Sequence, residues 1–425
     1  MVIGNREAGL SRKGIAPVAL HLTVAAIAFL LLFSRRPDAL LNAQFYAEDG
    51  KYWYADAYTF GWRCLWMPLG GYLNTLSRLI GLLAQLLPLH WAPLAMNLIA
   101  LAAAILPLNL WLSPRFREIA WPVRVAAGFL YLALPNSFEL HANTTNLHWH
   151  LALAAFLVLL AQPAASRGGR IFDATVLVAI TLAGPLGMLL LPIAAVLRWR
   201  RGPRYNFALS ALIPGTLLQL AMIFVYAGSQ RPNTNGASFD RFVTILGGQV
   251  FVSSLLGLRS FIHLAGQGRD LYALELVAAM VGTAVLAFGV LKGPLGLKLL
   301  TLFAVMVFAL GLARPLATDA GGLQWVALQV PGCGNRYYYF PMLAFLATLL
   351  WMLVSAEHGQ RARRLAALFM LVLLPFGVWK DWRYKPFEDL HFRAMAKEFE
   401  RSAPGTRFSF PLNSGTGLTM ELTKR

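Results

Sequence analysis

Long apolar runs with almost no charge at their centres constrain this chain more than any other feature. A bilayer core about 30 Å thick takes roughly 20 mostly apolar residues per helix, and fewer where the membrane is thin. The sequence therefore predicts an all-α polytopic membrane protein with about eleven transmembrane helices, at 14–33, 91–112, 122–135, 148–163, 172–184, 186–197, 205–226, 271–291, 299–314, 337–355 and 365–379.

Composition supports a membrane protein and argues against a nucleic-acid partner. Of the 425 residues, 58% are hydrophobic and only 13% are charged, whereas soluble domains carry about 25% charged residues. The net charge of +18 could suggest binding to nucleic acid. However, the basic residues lie in short loops between apolar runs and form no long basic stretch or nucleic-acid motif. The expected partners therefore include membrane lipids but no nucleic acid.

The distribution of basic residues predicts the topology. The first apolar run follows a basic segment, 1–13, is too long for a signal peptide and ends without a small-residue cleavage site, so we expect a retained helix with a cytoplasmic N-terminus. The expected location is the bacterial inner membrane, with the longer loops facing the periplasm. The inner loops then contain Arg115, Arg117, Arg167, Arg170, Arg198, Arg200, Arg201, Arg204, Lys292, Lys298, Arg361, Arg363 and Arg364.

Two further apolar runs, 72–88 and 242–263, contain the internal arginines Arg78 and Arg259. A charge near the bilayer centre costs at least ~2.5 kcal/mol. We therefore expect both runs to form interfacial or partly inserted helices on the outer face. The sequence "AGPLG" within 172–197 predicts two short passes, because Gly-Pro interrupts helices; a single long helix is the alternative.

The predicted outer face has long segments at 34–90, 136–147, 227–270 and 315–336. The division expected is a membrane domain, 1–379, with its site in loops 34–90 and 136–147, and a small outer tail, 380–425. At about 45 residues the tail is too small for a secure domain of its own, and we expect it to pack on the outer loops. Cys64 and Cys333 either form one bridge or are two unrelated thiols.

An acidic pair follows the first apolar run, in "NAQFYAEDGKYWYAD". Glu48 and Asp49 lie where the chain leaves the membrane, and a carboxylate in partly dry surroundings can serve as a base. A solvated acidic loop is the alternative. Asp56 lies one or two helical turns further on. Tyr52 belongs to a cluster of aromatic residues that suits either a membrane-interface belt or stacking on sugar rings.

The second outer loop, "ELHANTTNLHWH", carries polar residues to the mouth of an apolar helix. Polar groups there are costly unless they are paired or functional. We therefore predict that Asn143, Asn146 and His148 face the same cavity as the acidic pair and contact substrate. The spacing of the histidines and Glu139 matches no tight metal motif, so no metal site is predicted.

The stretch "GNRYYYFP" opens a late helix on the outer side. Arg336 can bind a phosphate at headgroup depth through paired hydrogen bonds, although an ordinary snorkelling arginine is the alternative. Tyr337 suits a substrate wall. The other outer cations are expected mainly to contact lipid headgroups: Arg231, Arg241, Arg259 and His263.

These motifs resemble the bacterial glycosyltransferases of the C superfamily, which are integral-membrane enzymes using polyprenyl-phosphate sugars. The similar features are "FYAEDG", "PLGGYL", "HANTTNLHWH" and "NRYYYFP". The resemblance implies transfer of a sugar from a polyprenyl-phosphate donor to a cell-envelope glycan or lipid, with O-antigen or lipopolysaccharide as the acceptor class.

Roles for individual residues follow from the same resemblance. The base is usually an acid of the first outer loop, which here is Glu48 or Asp49, with Asp49 favoured. Arg336 would stabilise the leaving phosphate. The family often has a second acid in the next outer loop, where this chain offers Asn143, Asn146 and His148 instead. Some relatives use a divalent metal, but no cofactor is expected here.

Two other functions are compatible with a chain of this kind. An O-antigen polymerase or ligase would have a similar number of spans and outer arginines, but not the acidic pair after the first helix. A lipid or sugar flippase should place polar groups at mid-membrane along a path open to both faces. The polar residues gather on one predicted face instead, which favours an enzyme.

Overall fold

Helices dominate the computed structural model, which describes residues 17–226, 234–268, 270–318, 322–355, 361–413 and 417–425. The helices are α1 Pro17–Arg35, α2 Asp38–Leu41, α3 Ala55–Phe60, α4 Thr75–Ala84, α5 Ala92–Leu112, α6 Trp121–Leu132, α7 Leu147–Leu160, α8 Arg167–Thr181, α9 Leu186–Arg201, α10 Asn206–Val225, α11 Phe239–Thr244, α12 Ser253–Leu256, α13 Leu258–Gly266, α14 Tyr272–Lys292, α15 Leu295–Ala313, α16 Gln324–Gln329, α17 Tyr339–Val354, α18 Arg361–Leu371, α19 Leu374–Asp381 and α20 Phe392–Arg401. The described structure also contains two π-helices, Asp49–Tyr54 and Ile245–Val252, short 3₁₀ helices and two short antiparallel hairpins. The hairpins are β1 Pro68–Leu69 with β2 Tyr72–Leu73, and β3 Arg407–Pro411 with β4 Thr419–Thr423.

The all-α polytopic membrane fold is confirmed. Within the described ranges, eight helices are long and apolar enough to cross a membrane: Val18–Arg35, Leu89–Leu112, Pro203–Val225, Phe239–Leu256, Tyr272–Lys292, Leu295–Ala313, Asn335–Val354 and Arg361–Asp381. Seven of these overlap predicted spans. The four other predicted spans correspond to α6, α7, α8 and α9, which have 12, 14, 15 and 16 residues. The number eleven therefore stays a prediction.

The predicted break at "AGPLG" is confirmed, because α8 ends at Thr181 and α9 begins at Leu186. Gln219 of α10 is fully buried beside the break. Its amide donates to the carbonyls of Thr181 (2.9 Å) and Leu73 (3.0 Å) and accepts from the Leu73 N–H (2.9 Å). Backbone groups released by a broken helix must be paired within a membrane bundle, and Gln219 provides that pairing.

The helix predicted over 72–88 is present as α4, Thr75–Ala84, but it is shorter at both ends than expected; its interfacial position stays a prediction. Residues 72–73 instead form strand β2, paired with β1 through a turn at Gly70 and Gly71, and α4 begins only at Thr75. Both turn glycines have positive φ angles, 66° and 86°. Two-residue hairpin turns require that conformation, which glycine adopts without steric cost. The hairpin therefore replaces the first helical turn expected there.

The run 242–263 also differs from the expected single interfacial helix. Helical structure runs without a break from Phe239 to Leu256, and the chain then turns at Gly257 before α13. Arg259 consequently lies in α13 and not within the apolar helix. Its charge therefore gives no reason to exclude Phe239–Leu256 from the membrane, since that segment is long and apolar enough to span.

One end of the helix bundle gathers the long loops, and a buried carboxylate joins several of them. Asp381, at the end of α19, accepts hydrogen bonds from the backbone N–H groups of Asn136 (3.0 Å), Leu258 (2.6 Å) and Arg259 (3.1 Å). The Arg35 guanidinium at the end of α1 donates to the Asp381 carbonyl (3.4 Å). We call this the loop-rich end. Its identity as the periplasmic face stays a prediction.

The tail packs on the first long loop, as its small size predicts. Glu400 of α20 accepts from the backbone N–H of His90 (3.1 Å), and its carboxylate lies 2.9 Å from the His90 ring nitrogen. The Arg425 guanidinium donates to the Thr59 carbonyl (2.8 Å). Segment 380–425 is therefore held against 34–90 by these contacts.

The two cysteines are free thiols. Cys64 is buried, and Cys333 is half-buried with its Sγ 3.5 Å from the Ala317 carbonyl. Of the two sequence-based alternatives, the structure therefore supports two unrelated thiols and excludes the bridge.

Replacing Gln219 tests the stabilisation of the helix break. Gln219→Leu leaves the Leu73 N–H and C=O and the Thr181 C=O unpaired, at a cost of roughly 1–3 kcal/mol for each buried group. We expect a lower midpoint of thermal unfolding in detergent. The matched control is Gln267→Leu, at an exposed glutamine. Equal midpoints for the two variants would contradict the prediction.

Candidate functional site

Asp49 joins the two loops that the sequence predicts to form the site. Its side chain is 1% exposed. One carboxylate oxygen accepts from the Thr144 N–H (2.9 Å), and the other accepts from the N–H (2.7 Å) and hydroxyl (2.8 Å) of Thr145. Both oxygens are thus engaged inside the protein. This arrangement fixes the second loop against the first.

Burial dominates the electrostatics of Asp49. Removal from water raises the pKa of its carboxyl group to about 7, although the hydrogen bonds from Thr144 and Thr145 favour the anion and the nearby Glu48 disfavours it. A charged carboxylate loses its hydration when buried, and three hydrogen bonds only partly replace that hydration. Asp49 therefore exchanges its proton near neutral pH.

A second set of contacts supports this junction from the side of α4. The Trp53 indole N–H donates to the Thr145 hydroxyl (3.2 Å), and the Arg78 guanidinium lies over the Trp53 ring at 5.2 Å. At Gly81, an added Cβ would lie 2.1 Å from the Trp53 carbonyl oxygen, so only glycine permits this approach of α4. Thus α4 packs directly on the π-helix that begins at Asp49.

Asp56 does not join the acidic pair. Its carboxylate lies 2.6 Å from Arg78 Nη1, and the side chains of Arg78 and Asp56 are 1% and 17% exposed. A buried guanidinium without a partner would be strongly destabilising, so the charge of Asp56 is used to neutralise Arg78. Asp56 therefore has a structural role in neutralising Arg78, and its contact with substrate stays a prediction.

Asn143 and Asn146 shape the second loop. Asn143 donates to the Glu139 carbonyl (2.8 Å) and accepts from the Asn146 N–H (2.9 Å). Asn146 donates to the same Glu139 carbonyl (2.9 Å). Both residues are buried, and Ala142 beside them has a φ of +53°. The amides therefore hold a strained loop in place through bonds within that loop.

Arg336 reaches the second loop from the start of α17. Its Nη1 forms an ion pair with Glu139, while Nη2 donates to the Leu316 carbonyl (2.6 Å) and the Tyr337 hydroxyl (3.2 Å). Its side chain is 21% exposed. Within the part of the chain that the structure describes, no hydrogen-bond partner is found for the Nε–H of Arg336. Arg336 thus combines a fixed guanidinium with a free donor.

Glu48 is the accessible member of the acidic pair. It is half-buried and follows Ala47, whose φ of +42° departs from ordinary backbone. Glu48, Tyr46 and Arg336 interact electrostatically with one another. Glu48 and Arg336 are therefore near enough for their opposite charges to interact, and we call these two residues together with Tyr46 the acid–arginine centre.

Tyr72 also faces the acid–arginine centre and was missed as a site residue. Burial raises its pKa to about 12; the nearby Tyr337 and Glu48 also raise the pKa, whereas Arg336 lowers it. Its position follows from the β1–β2 hairpin, where its ring lies against Gly184. The available signal was "PLGGYL", whose Gly-Gly pair indicates a hairpin that would project the following tyrosine.

Tyr52 lies in the first loop and His148 lies in the first turn of α7. Among the described residues, neither has a hydrogen bond or ring contact with Glu48 or Arg336. The Tyr52 ring contacts Trp53 (6.3 Å between centroids) and lies beneath the Lys51 ammonium group (5.6 Å). The half-buried His148 ring contacts Trp149 (5.6 Å). Substrate binding by both residues stays a prediction.

The remaining outer cations are bound to the protein where they are described. Arg241 donates to the Gly236 carbonyl, Arg259 donates to the Arg383 carbonyl, and His263 lies 3.0 Å from the Gln267 amide. Arg231 lies outside the described residues. Across the described ranges, no group of three or more His, Cys, Asp or Glu side chains could hold a metal ion.

Comparisons with known proteins found structural similarity only. No family model and no curated protein matches the chain. The structure of ArnT from Cupriavidus metallidurans in the apo state has 13% identity and a TM-score of 0.45, over 90% of this chain and 75% of that chain. The same protein bound to undecaprenyl phosphate has 14% identity and a TM-score of 0.41, over 89% and 74%. Both similarities are too distant to assign a function.

Neutralising Asp56 tests its pairing with Arg78. Asp56→Asn removes the charge that compensates a buried guanidinium, so we expect a loss of about 3–5 kcal/mol in stability, measured by chemical unfolding in detergent. Asp389→Asn is the control, because Asp389 is 56% exposed and 4.0 Å from His391. An exposed pair contributes little. A loss no larger than that of the control would disprove the pairing.

Asp49 should give stability a specific dependence on pH. Its folded pKa of about 7 lies above the ordinary 3.8, so between these values the folded state holds a proton that the unfolded state has lost. Stability should therefore fall as pH rises from about 4 to 7. Thermal unfolding of Asp49→Asn between pH 5 and 8 should show a flatter profile than the wild type, and identical slopes would refute the assignment.

Proposed function

We propose that this protein is an integral-membrane glycosyltransferase that moves a hexosyl or pentosyl group from a polyprenyl-phosphate donor to a cell-envelope glycan or lipid. The observation that carries the proposal is the acid–arginine centre at one end of an apolar helix bundle. An acid can remove the proton of the acceptor hydroxyl, and a guanidinium can stabilise the leaving phosphate. O-antigen or lipopolysaccharide is the proposed acceptor class, and the periplasmic face of the inner membrane is the proposed location.

Glu48 is the proposed base. It is half-buried and accessible, whereas both oxygens of Asp49 accept hydrogen bonds from the second loop. A base must come within hydrogen-bond reach of the proton that it removes. This assignment departs from the sequence-based preference for Asp49, which becomes the residue that positions Glu48 and the second loop.

The reaction is a single displacement at the anomeric carbon. Glu48 takes the proton of the acceptor hydroxyl while the acceptor oxygen bonds to the anomeric carbon, with inversion. The bond from that carbon to the phosphate oxygen breaks, and its electron pair leaves with the polyprenyl phosphate. The leaving group is already stable as an anion and needs no proton in this step.

Arg336 is the proposed phosphate ligand. The ion pair with Glu139 and the bonds to Leu316 and Tyr337 hold the guanidinium in place, and its Nε–H has no partner among the described residues. A preorganised cation stabilises charge that develops on the phosphate. The Tyr72 hydroxyl is a further proposed donor to the substrate. In this proposal Arg336 and Tyr72 contact the phosphate or sugar directly, and no metal is included.

The lipid tail of the donor explains why the site lies at the end of the bundle. The tail would remain in the bilayer along the exposed apolar faces of the helices, while the phosphate and sugar reach headgroup depth. The loop-rich end holds Glu48, Arg336 and Tyr72 at the ends of membrane helices or in the loops between them. A substrate anchored in this way requires a site at that depth and no path across the membrane.

Transfer by the purified protein in liposomes tests the proposal. Labelled sugar on polyprenyl-phosphate donors is supplied with lipid acceptors, with and without a chelator. We expect Glu48→Gln to lower kcat by at least about 10²-fold, since general-base catalysis contributes 10²–10⁴-fold. Arg336→Lys should lower kcat/KM for the donor, because lysine cannot reproduce the planar donor fork.

Glu398→Gln, on the exposed face of α20, is the matched control and should retain wild-type activity. Full activity of Glu48→Gln would eliminate Glu48 as the base. Loss of activity with the chelator would refute a metal-independent reaction. If no donor supports transfer and labelled lipid moves across the bilayer, the protein is a flippase and the proposed glycosyltransferase function is wrong.

A further inference from the structure

The C-terminal tail is bonded directly to the segment that carries the acidic pair. The Gln44 amide nitrogen donates to the Glu388 carbonyl (2.9 Å), and its oxygen accepts from the Leu390 N–H (2.9 Å). Asp38 accepts from the Phe387 N–H (3.0 Å). These bonds join side chains of the first loop to backbone groups of the tail. The tail is therefore aligned with residues 38–44 at two points.

The contact continues up to the site. Tyr46 stacks on Phe387, with 5.6 Å between ring centroids, and forms an isolated parallel bridge with Asn413. The Asn413 amide donates in turn to the Glu388 carbonyl (3.2 Å). Tyr46 lies two residues before Glu48 and interacts electrostatically with it. The tail thus contacts a residue of the acid–arginine centre itself.

The packing is tight at Gly50, directly after the acidic pair. At Gly50, an added Cβ would lie 2.7 Å from the Leu412 side chain of the tail and 3.0 Å from Phe45. Phe45 is buried against Phe392 of α20, with 5.1 Å between ring centroids. Tail side chains therefore pack against Phe45 and Gly50, which lie on either side of the acidic pair in the chain.

The backbone before Glu48 requires such support. Ala47 has a φ of +42°, and a non-glycine residue in that conformation persists only when its surroundings hold it there. Asp49 fixes the chain after Ala47 to the second loop, while Gln44, which is 4% exposed, fixes the chain before it to the tail. Glu48 lies between these two attachments.

We infer that the tail, through Gln44, positions the general base of the site. The part of the tail that does so is the backbone of 387–390 together with Asn413. The inference deepens the proposed function and rests on it. Gln44 is a positioning residue, because it acts through the backbone that carries Glu48 and touches no reacting atom. The second attachment point, Asp38, shares this role.

Gln44→Met tests the inference because it keeps the shape of the side chain and removes both hydrogen bonds. Small displacements of a catalytic group are costly to rate, so we expect kcat to fall by about tenfold or more while KM for the polyprenyl-phosphate sugar changes little. Asp38→Ala is the second variant, in case Gln44→Met does not fold. The control is Ser409→Ala, which removes the 2.5 Å contact with Glu421 on the exposed tail hairpin.

Hydrogen exchange provides a readout that does not depend on activity. The N–H groups of Asp49 and Lys51 are bonded to the carbonyls of Tyr46 (2.8 Å) and Ala47 (3.3 Å). In the folded Gln44→Met protein, exchange over residues 46–51 should be faster, whereas Ser409→Ala should leave it unchanged. The full chain in detergent or liposomes is used throughout.

Each outcome decides the question. Lower kcat together with faster exchange over 46–51 supports a positioning role for the tail. A lower unfolding midpoint with unchanged kcat and unchanged exchange overturns it, because the contact would then be structural only. A wild-type protein without transfer activity refutes the proposed function, and the exchange measurement alone then decides whether the tail holds the loop.

Discussion

The loop-rich end of this protein depends on the burial of one carboxylate. Asp49 is removed from water and receives three hydrogen bonds from Thr144 and Thr145. Burial of an unpaired charge costs far more than any single hydrogen bond contributes, so the second loop must remain in place whenever Asp49 is ionised. The same bonds determine where Glu48, the next residue toward the N-terminus, can lie.

Other buried charges at this end follow the same physical rule. Arg78 is neutralised by Asp56, and Arg336 is paired with Glu139. Asp381 has its charge balanced by three backbone N–H groups. Each pairing connects segments that are far apart in the sequence. The loops are therefore organised by buried polar contacts, whereas the helices beneath them are organised by apolar packing.

The sequence predicts the features that depend on local pattern. Apolar runs locate the spans, "AGPLG" locates the break between α8 and α9, and the polar clusters locate both loops of the site. The β1–β2 hairpin was missed because its strands lie within an apolar stretch, although Gly70 and Gly71 signalled a turn. The partner of Asp56 was missed for a different reason. No local pattern shows that a residue 22 positions away will neutralise it.

The difference between Glu48 and Asp49 was also beyond sequence analysis. The two acids are adjacent, and only the fold determines which one is buried by residues 144–145 and which one remains accessible. The same applies to Asn143 and Asn146, whose amides bond within their own loop. A sequence shows the chemical type of each side chain, but the exposure of that side chain depends on contacts between segments that are distant in the chain.

The attachment of the tail to the first loop has a consequence for synthesis of the protein. Chains emerge from the ribosome N-terminus first, so Gln44 and Glu48 leave it long before Glu388 and Leu390, and every apolar helix of the bundle after α1 is made between them. The first loop therefore lacks its attachment to the tail until the rest of the bundle has been made. The segment that carries the acidic pair therefore has both of its attachments only after the last membrane helix has been inserted. The proposed chemistry of the site thus depends on the end of membrane assembly.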